Sequence, residues 1–237
     1  MRVLMGPAGD PVVEEGAEPS SREHLAALYS RPEGHDGPWL RVNFVATADG
    51  AAQGEDGRSG TINNAADKKV FVALRRLADV LIVGAGTLRT EEYRPTSIPL
   101  VVVSRSGRVP DTLCSAEPGR VLMATCANAP GLAEACETLG EEHVLVLGEN
   151  EVHFLDLKAA LADRGWVEQL SEGGPHLLHA MLAAGVVDEL CLTITPRLIA
   201  GAHLRIVEGQ PLDVPLEPTL LLEEDGTFLG RWRVRGE

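Results

Sequence analysis

Long apolar runs are missing from this chain of 237 residues. None reaches the roughly 18–20 residues that a helix needs to cross a bilayer. The opening stretch MRVLMGPAGD also lacks the apolar segment of about 7–15 residues found in a secretory signal. The sequence therefore predicts a cytoplasmic protein. Cysteine is scarce: Cys114, Cys126, Cys136 and Cys191 form no Cys-x-x-Cys pair. That spacing argues against a disulfide framework and against a zinc site. No His-Glu-x-x-His and no tight His/Cys/Asp set occurs, so no metal is expected. A Gly-x-Ser-x-Gly elbow is absent, which leaves Ser-His-Asp hydrolysis without local support. Positive charge is short as well, with 21 Lys and Arg against 35 Asp and Glu, a net charge of −14. A surface this acidic repels phosphate backbones, so neither nucleic acid nor an anionic membrane is an expected partner. One small phosphorylated ligand in a local basic pocket stays compatible with that charge.

What is present reads as an ordinary globular domain, 44% hydrophobic and 24% charged. Residues 1–38 are rich in Gly, Pro and Glu, with one short helix expected at SREHLAALYS. They read as an N-terminal extension that wraps on a domain spanning 39–237. WLRVNFVAT (39–47) is expected to be a strand, followed by the glycine-rich loop ADGAAQGEDGRSGTI. Asn63 or Asn64 can cap the next helix, in which Val70, Phe71, Leu74 and Leu77 recur at helical spacing. Strands are then predicted at DVLIVG, IPLVVVSR, RVLMAT, HVLVLG, VEQLSEGG and ELCLTITPRLI, with helices at PGLAEACETLG, DLKAALADRG and GPHLLHAMLAAGV. TLLLEEDG and TFLGRWRVRG end the chain as a hairpin around an Asp-Gly turn. Strands alternating with helices imply an α/β protein, a three-layer α/β/α arrangement on a mixed, mostly parallel sheet with a C-terminal antiparallel hairpin.

Three turns follow predicted strands. Gly84-Ala85-Gly86-Thr87 is either a tight turn or a place where a ligand meets bare backbone. It departs from the dinucleotide fingerprint, because the third glycine position holds Arg89. Ser104, Arg105, Ser106 and Arg108 end the next strand, about 20 residues on, where an arginine would suit a ribose 2′-phosphate. The alternative is a solvated strand end. Ser171-Glu172-Gly173-Gly174-Pro175-His176 leads into a helix with Pro175 suited to its first position. Its amides form an anion-binding corner, and Glu172 stands where open α/β sheets place ligands. Thr47, Asp49 and Gly50 follow the first strand of the domain; an Asp there could pair with an N–H donor of a polar heterocycle or simply make a turn.

VNFVATADGAA, LADVLIVGAGTLRTEEYRP and LSEGGPHLLHAMLAAGVVDELCLTITPRLIAG, in that order, resemble the pyrimidine reductase family of riboflavin biosynthesis. This is the C-terminal half of the bifunctional deaminase-reductase, of dihydrofolate-reductase-like fold, and the resemblance covers about residues 39–235. It implies an NADPH-dependent reductase of a phosphorylated ribosylamino-pyrimidine, with hydride delivered to C1′ of the opened ribose. By the same resemblance Gly84, Gly86 and Thr87 line the cofactor, Ser104 and Arg105 hold its 2′-phosphate, and Gly173 and Gly174 approach its pyrophosphate or nicotinamide. Thr47, Asp49 and Glu172 face the substrate, Asp49 reading the pyrimidine ring, and Asp49 and Glu172 are the catalytic candidates. The proton donor is left open between Glu172, a water and a substrate group.

Two departures stand out. The deaminase pattern His-x-Glu with Pro-Cys-x-x-Cys is absent. Where many members carry Asp-Asp-Pro or Asp-Asn-Pro, this chain has Arg89-Thr90-Glu91-Glu92-Tyr93-Arg94-Pro95. Arg89 or Arg94 could serve the substrate's phosphate there. Dihydrofolate or pterin reduction, and a non-catalytic NADPH-binding protein, are the alternative readings. A homodimer is expected, with the apolar CLTITPRLIA stretch able to reach an interface or to lie inside the sheet.

Overall fold

The computed structural model describes residues 1–6, 21–93 and 96–236. In chain order these form β1 (Arg2–Met5), α1 (Arg22–Leu28), β2 (Trp39–Thr47), α2 (Ala65–Leu77), β3 (Val80–Gly84), α3 (Ala85–Thr90), β4 (Leu100–Val103) and β5 (Val121–Thr125). Then come α4 (Leu132–Leu139), β6 (Val144–Val146), α5 (Phe154–Ala162), β7 (Glu168–Ser171), α6 (Pro175–Ala183), β8 (Glu189–Thr195), β9 (Leu216–Glu224) and β10 (Thr227–Val234). All ten strands join one sheet in the order β1-β9-β10-β8-β2-β7-β3-β4-β5-β6. From β8 to β6 every pairing is parallel; β8-β10, β10-β9 and β9-β1 are antiparallel. The fold is α/β, as expected.

Side-chain alternation divides the core in two. Leu81, Leu100 and Met123 face the side carrying Leu25, Tyr29, Val70 and Leu74 of α1 and α2. Ile82, Val101 and Leu122 face Leu157, Leu161, Leu178 and Met181 of α5 and α6. The central strands are covered on both faces, which is why VLIV and LVVV read as unbroken apolar runs. Asn64 is the residue that caps α2, its side-chain oxygen accepting the Asp67 N–H at 3.1 Å. Of the four apolar residues at helical spacing in α2, Phe71 is half-buried and lines a cleft.

The N-terminal residues do more than cover the domain. Arg2–Met5 adds an edge strand beside β9, which the short MRVLM run did not announce. Helix α1 buries Leu25, Leu28 and Tyr29 against α2. Its C-terminal carbonyls meet two buried arginines: Arg41 donates to Tyr29 O at 2.8 Å, and Arg231 donates to Leu28 O at 2.6 Å and Ser30 O at 2.7 Å. Glu189 lies between the two guanidinium groups and accepts from the Nε of each. These three residues are 2–5% exposed at the centre of the β2, β8 and β10 ladder.

The predicted strand 189–199 stops at Thr195, before Pro196, which has no N–H to continue the ladder. Both edges of β8 are taken, by β2 and β10. It is an interior strand, so the CLTITPRLIA stretch reaches the surface only after the strand ends, where Leu198 is 78% exposed. No helix among the described residues is long and apolar enough to cross a membrane.

Candidate active site

The C-terminal ends of β2, β3, β4 and β7 open into one cleft, the place where open parallel sheets bind ligands. Its volume is about 1530 Å³, against roughly 300–1,000 Å³ for a pocket holding one small molecule. It has room for two ligands side by side.

Two glycine turns form its floor. The Gly84 N–H donates to Gly173 O at 2.9 Å, tying the end of β3 to the end of β7. Gly173 has φ of 107°, a conformation that side chains rarely adopt. At Gly174 a Cβ would stand 2.6 Å from Thr87 Oγ1, so a side chain there would force that hydroxyl to turn away. Gly174 is the N-cap of α6 and Pro175 its first residue, as the sequence suggested. Gly84 leads directly into α3, a short helix where the sequence reading had only a turn. Ser104, Arg105 and Ser106 line the same cleft beyond this floor. The Ser104 and Ser106 hydroxyls lie 3.2 Å apart, and Arg105 is exposed and forms no ion pair among the described residues.

Glu172 is held more firmly than its place on a turn suggested. Arg75 donates to both carboxylate oxygens, Nε at 2.7 Å and an Nη at 2.6 Å, and the Tyr93 hydroxyl bonds to Oε2. The Arg75 guanidinium lies 4.3 Å from the Phe71 ring centre and 5.4 Å from that of Tyr93. Only 4% of the Glu172 side chain is exposed. Burial pushes its carboxyl above the usual range, against the opposing pull of Arg75. Arg75, which no motif in the sequence singles out, lies in the last turn of α2 and reaches Glu172 because α2 packs beside β7.

The segment that departs from the family pattern has its own work. Glu91 accepts the Ser59 N–H at 2.8 Å, and Glu92 accepts from Arg58 at 2.6 Å. These bonds hold the glycine-rich loop against α3, where Gly57, Ser59 and Gly60 line the cleft beside Arg89. Arg94 falls outside the described residues. On the far wall, the rings of His176 and His179 donate to the Glu208 and Gln210 carbonyls, each at 2.9 Å. That fastens the 204–210 loop along α6.

Asp49 and Thr47 are placed differently from the sequence reading. Neither lines the cleft. Asp49 accepts from the Thr47 hydroxyl and from the backbone N–H of Ile199 (3.1 Å) and Ala200 (2.8 Å). These bonds, the Thr47 hydroxyl first, hold its carboxyl below the usual range. These bonds anchor the loop after β8. A different acid, Asp67, does line the cleft, together with Asn43. Asp67 is 6% exposed, and burial pushes its carboxyl up while the Thr193 hydroxyl opposes the shift. The sequence offered Asp67 only as a first-turn acid favoured by the helix dipole.

Comparison with known proteins identifies relatives of the chain and of its fold. A reductase of Methanothermobacter thermautotrophicus named for 2,5-diamino-6-ribosylamino-4(3H)-pyrimidinone 5′-phosphate is 28% identical over 193 residues, 74% of this chain and 86% of that protein. Its namesake from Archaeoglobus fulgidus is 27% identical over 183 residues, 69% of this chain and 83% of its own. The crystal structure of a pyrimidine reductase-like protein from Corynebacterium diphtheriae shares the fold, with a TM-score of 0.76 at 22% identity, covering 92% of this chain and 100% of that one. The family model of the RibD C-terminal domain matches residues 38–227. With that match across most of its length, the chain belongs to the RibD C-terminal domain family.

Proposed function

We propose that this protein is an NADPH-dependent reductase of a phosphorylated ribosylamino-pyrimidine, acting in riboflavin biosynthesis. The class includes the 5-amino-6-(5-phosphoribosylamino)uracil ring and the 2-amino ring for which the Methanothermobacter relative is named. One observation carries the reading: a single cleft joins an anion-suited end, a bare glycine floor and a buried acid. The floor, with Gly173 in a conformation side chains rarely adopt and no side chain at Gly174, fits close approach by a flat cofactor.

NADPH would supply the hydride, and the chain supplies position and protons. Gly84, Gly86, Thr87, Gly173 and Gly174 would shape the bed that aligns nicotinamide with C1′, where orientation contributes much of the rate. The Ser104 and Ser106 hydroxyls with Arg105 would hold the 2′-phosphate, the guanidinium matching its oxygens as a fork. Opening the ribose requires a proton at the ring oxygen. Glu172, kept protonated more readily by burial and hydrogen-bonded to Tyr93 at Oε2, suits that transfer. Arg89 at the cleft rim suits the substrate phosphate. Asp49 and Thr47 act one step removed, by fixing the loop after β8.

Titration by nicotinamide fluorescence tests the cofactor assignment. NADPH is expected to bind at least about tenfold more tightly than NADH, and Arg105→Ala to remove that preference while leaving NADH unaffected. Equal losses for both cofactors would take Arg105 out of the 2′-phosphate role. A homodimer completes the reading, with the exposed loop carrying Leu198 as the apolar candidate for the contact. Light scattering at micromolar concentration is expected to give twice the 25.3 kDa chain mass; the monomer mass would refute it.

A further inference from the structure

The segment that departs from the family pattern also carries a phenol to Glu172, and the reaction described above gives that phenol no step of its own. The chain leaves α3 through Glu92, whose φ of 51° is left-handed, and the Tyr93 N–H returns to Leu88 O at 3.1 Å. That turn sets the Tyr93 ring beside Arg75 and its hydroxyl on Glu172 Oε2 and on an Arg75 Nη. Tyr93 is half-buried and lines the cleft.

The bonds to Glu172 limit how its proton can travel. Both carboxylate oxygens accept from Arg75, and the side chain is 4% exposed, so little of either oxygen is left for a substrate atom. Among the described residues, Arg75 and Tyr93 are the side chains bonded to that carboxylate. A guanidinium stays protonated and passes no proton on. A phenol hydroxyl both donates and accepts. Tyr93 is therefore the route, among the described residues, from the Glu172 carboxyl to the cleft.

Resting on the reductase reading, we infer that Tyr93 is the catalytic residue that hands the proton to the opening ribose, with Glu172 behind it as the supply. The Tyr93 hydroxyl proton goes to the ring oxygen as the bond from that oxygen to C1′ breaks, and the bonding pair stays on the oxygen, which becomes a hydroxyl. The lone pair of the attached amine nitrogen forms the C1′=N bond of an iminium, and C1′ then receives the hydride. In the same step the phenol oxygen takes the Glu172 carboxyl proton. Tyr93 ends neutral, and Glu172 ends as a carboxylate that Arg75 stabilises through both oxygens. Solvent returns one proton to Glu172 before the next turnover. Burial holds that proton on the acid beforehand, and Arg75 holds the charge afterwards.

Single-turnover oxidation of NADPH by the full-length protein, with each ribosylamino-pyrimidine 5′-phosphate in excess, tests this. Tyr93→Phe keeps the ring beside Arg75 and removes only the hydroxyl. Its rate is expected to fall by roughly 10²-fold or more, with NADPH affinity within a few-fold of wild type. Combined with Glu172→Gln it should be little slower than the slower single variant, because two groups on one proton path do not add. A Tyr93→Phe rate within about threefold of wild type overturns the inference, and so do losses that multiply in the double variant. A hydroxyl that merely positions Glu172 gives a different signature. Its removal takes a donor from the carboxylate, which moves the alkaline limb of the rate upward and keeps the plateau; that result also overturns the relay. A wild type that oxidises NADPH with neither phosphate removes the reductase reading and the relay together, whereas an active wild type with an unimpaired Tyr93→Phe removes the relay alone. Should Tyr93→Phe not fold, 3-fluorotyrosine in place of both tyrosines decides. Tyr29 is buried and does not line the cleft, so the probe there is Tyr93. The more acidic phenol is expected to change the single-turnover rate by at least about twofold, and an unchanged rate overturns the inference.

Discussion

Glu172→Gln is expected to lower kcat by roughly 10²–10⁴-fold, the usual loss when a positioned acid is removed. The affinity for NADPH should stay within a few-fold, since the glycine floor and Arg105 are untouched. The variant keeps the shape and one acceptor for Arg75 but cannot donate the proton. Arg75→Met should act through the same group. It removes the bidentate partner that opposes the effect of burial, so the Glu172 carboxyl should rise further. The alkaline limb of kcat against pH should then move upward in the variant. A rate unchanged in Glu172→Gln would mean that water or the substrate supplies the proton.

The same carboxyl carries a stability signature with a defined sign. Its folded value lies above the ordinary one, 4.5 for this residue type. Its contribution to stability is therefore fully present below the ordinary Glu range and is lost as pH rises through the raised value. Glu172→Gln should flatten that part of the stability–pH curve, as read by denaturant melts across the acid range.

The largest stability effect is expected at Glu189. Glu189→Ala leaves Arg41 and Arg231 as two buried guanidinium groups facing each other with no carboxylate between them. Breaking such a buried set by removing one partner costs about 3–5 kcal/mol. Total stability is only about 5–15 kcal/mol, so Tm should drop by roughly 6–20 °C. The damage should concentrate at the N-terminus, because the same arginines satisfy the Leu28, Tyr29 and Ser30 carbonyls at the end of α1. Limited proteolysis should release residues before Trp39 early. A melt within about 1 °C of wild type would show that the set is replaceable by water or by packing.

These two acids illustrate how differently the sequence disclosed its parts. Glu172 was visible because it ends a strand, precedes two glycines and a helix-starting proline, and sits in a block shared with a family. Glu189 was not, because ELCLTIT looks like any buried strand. A charge inside such a run becomes intelligible only when strands β2 and β10, far away in the chain, set Arg41 and Arg231 on either side of it. Asp49 shows how a neighbour far in the chain adds to a local reading. Its position after a strand suggests a ligand role, and the fold brings the backbone N–H groups of Ile199 and Ala200 to its carboxylate.

The sequence by itself determined the class of fold, the order of strands and helices through the parallel half, a capping asparagine at the start of α2 and the glycine turns of the cleft. All of these depend on local rules: side-chain periodicity, caps and the backbone freedom of glycine, each readable within a few residues. The tertiary structure alone decided which acids meet the cleft, what holds Glu172 and where β1 and α1 dock. Those outcomes depend on which donors arrive from distant segments and on how much water the packing removes. A carboxylate's role follows from its neighbours and its burial, and neither is written in the residues beside it.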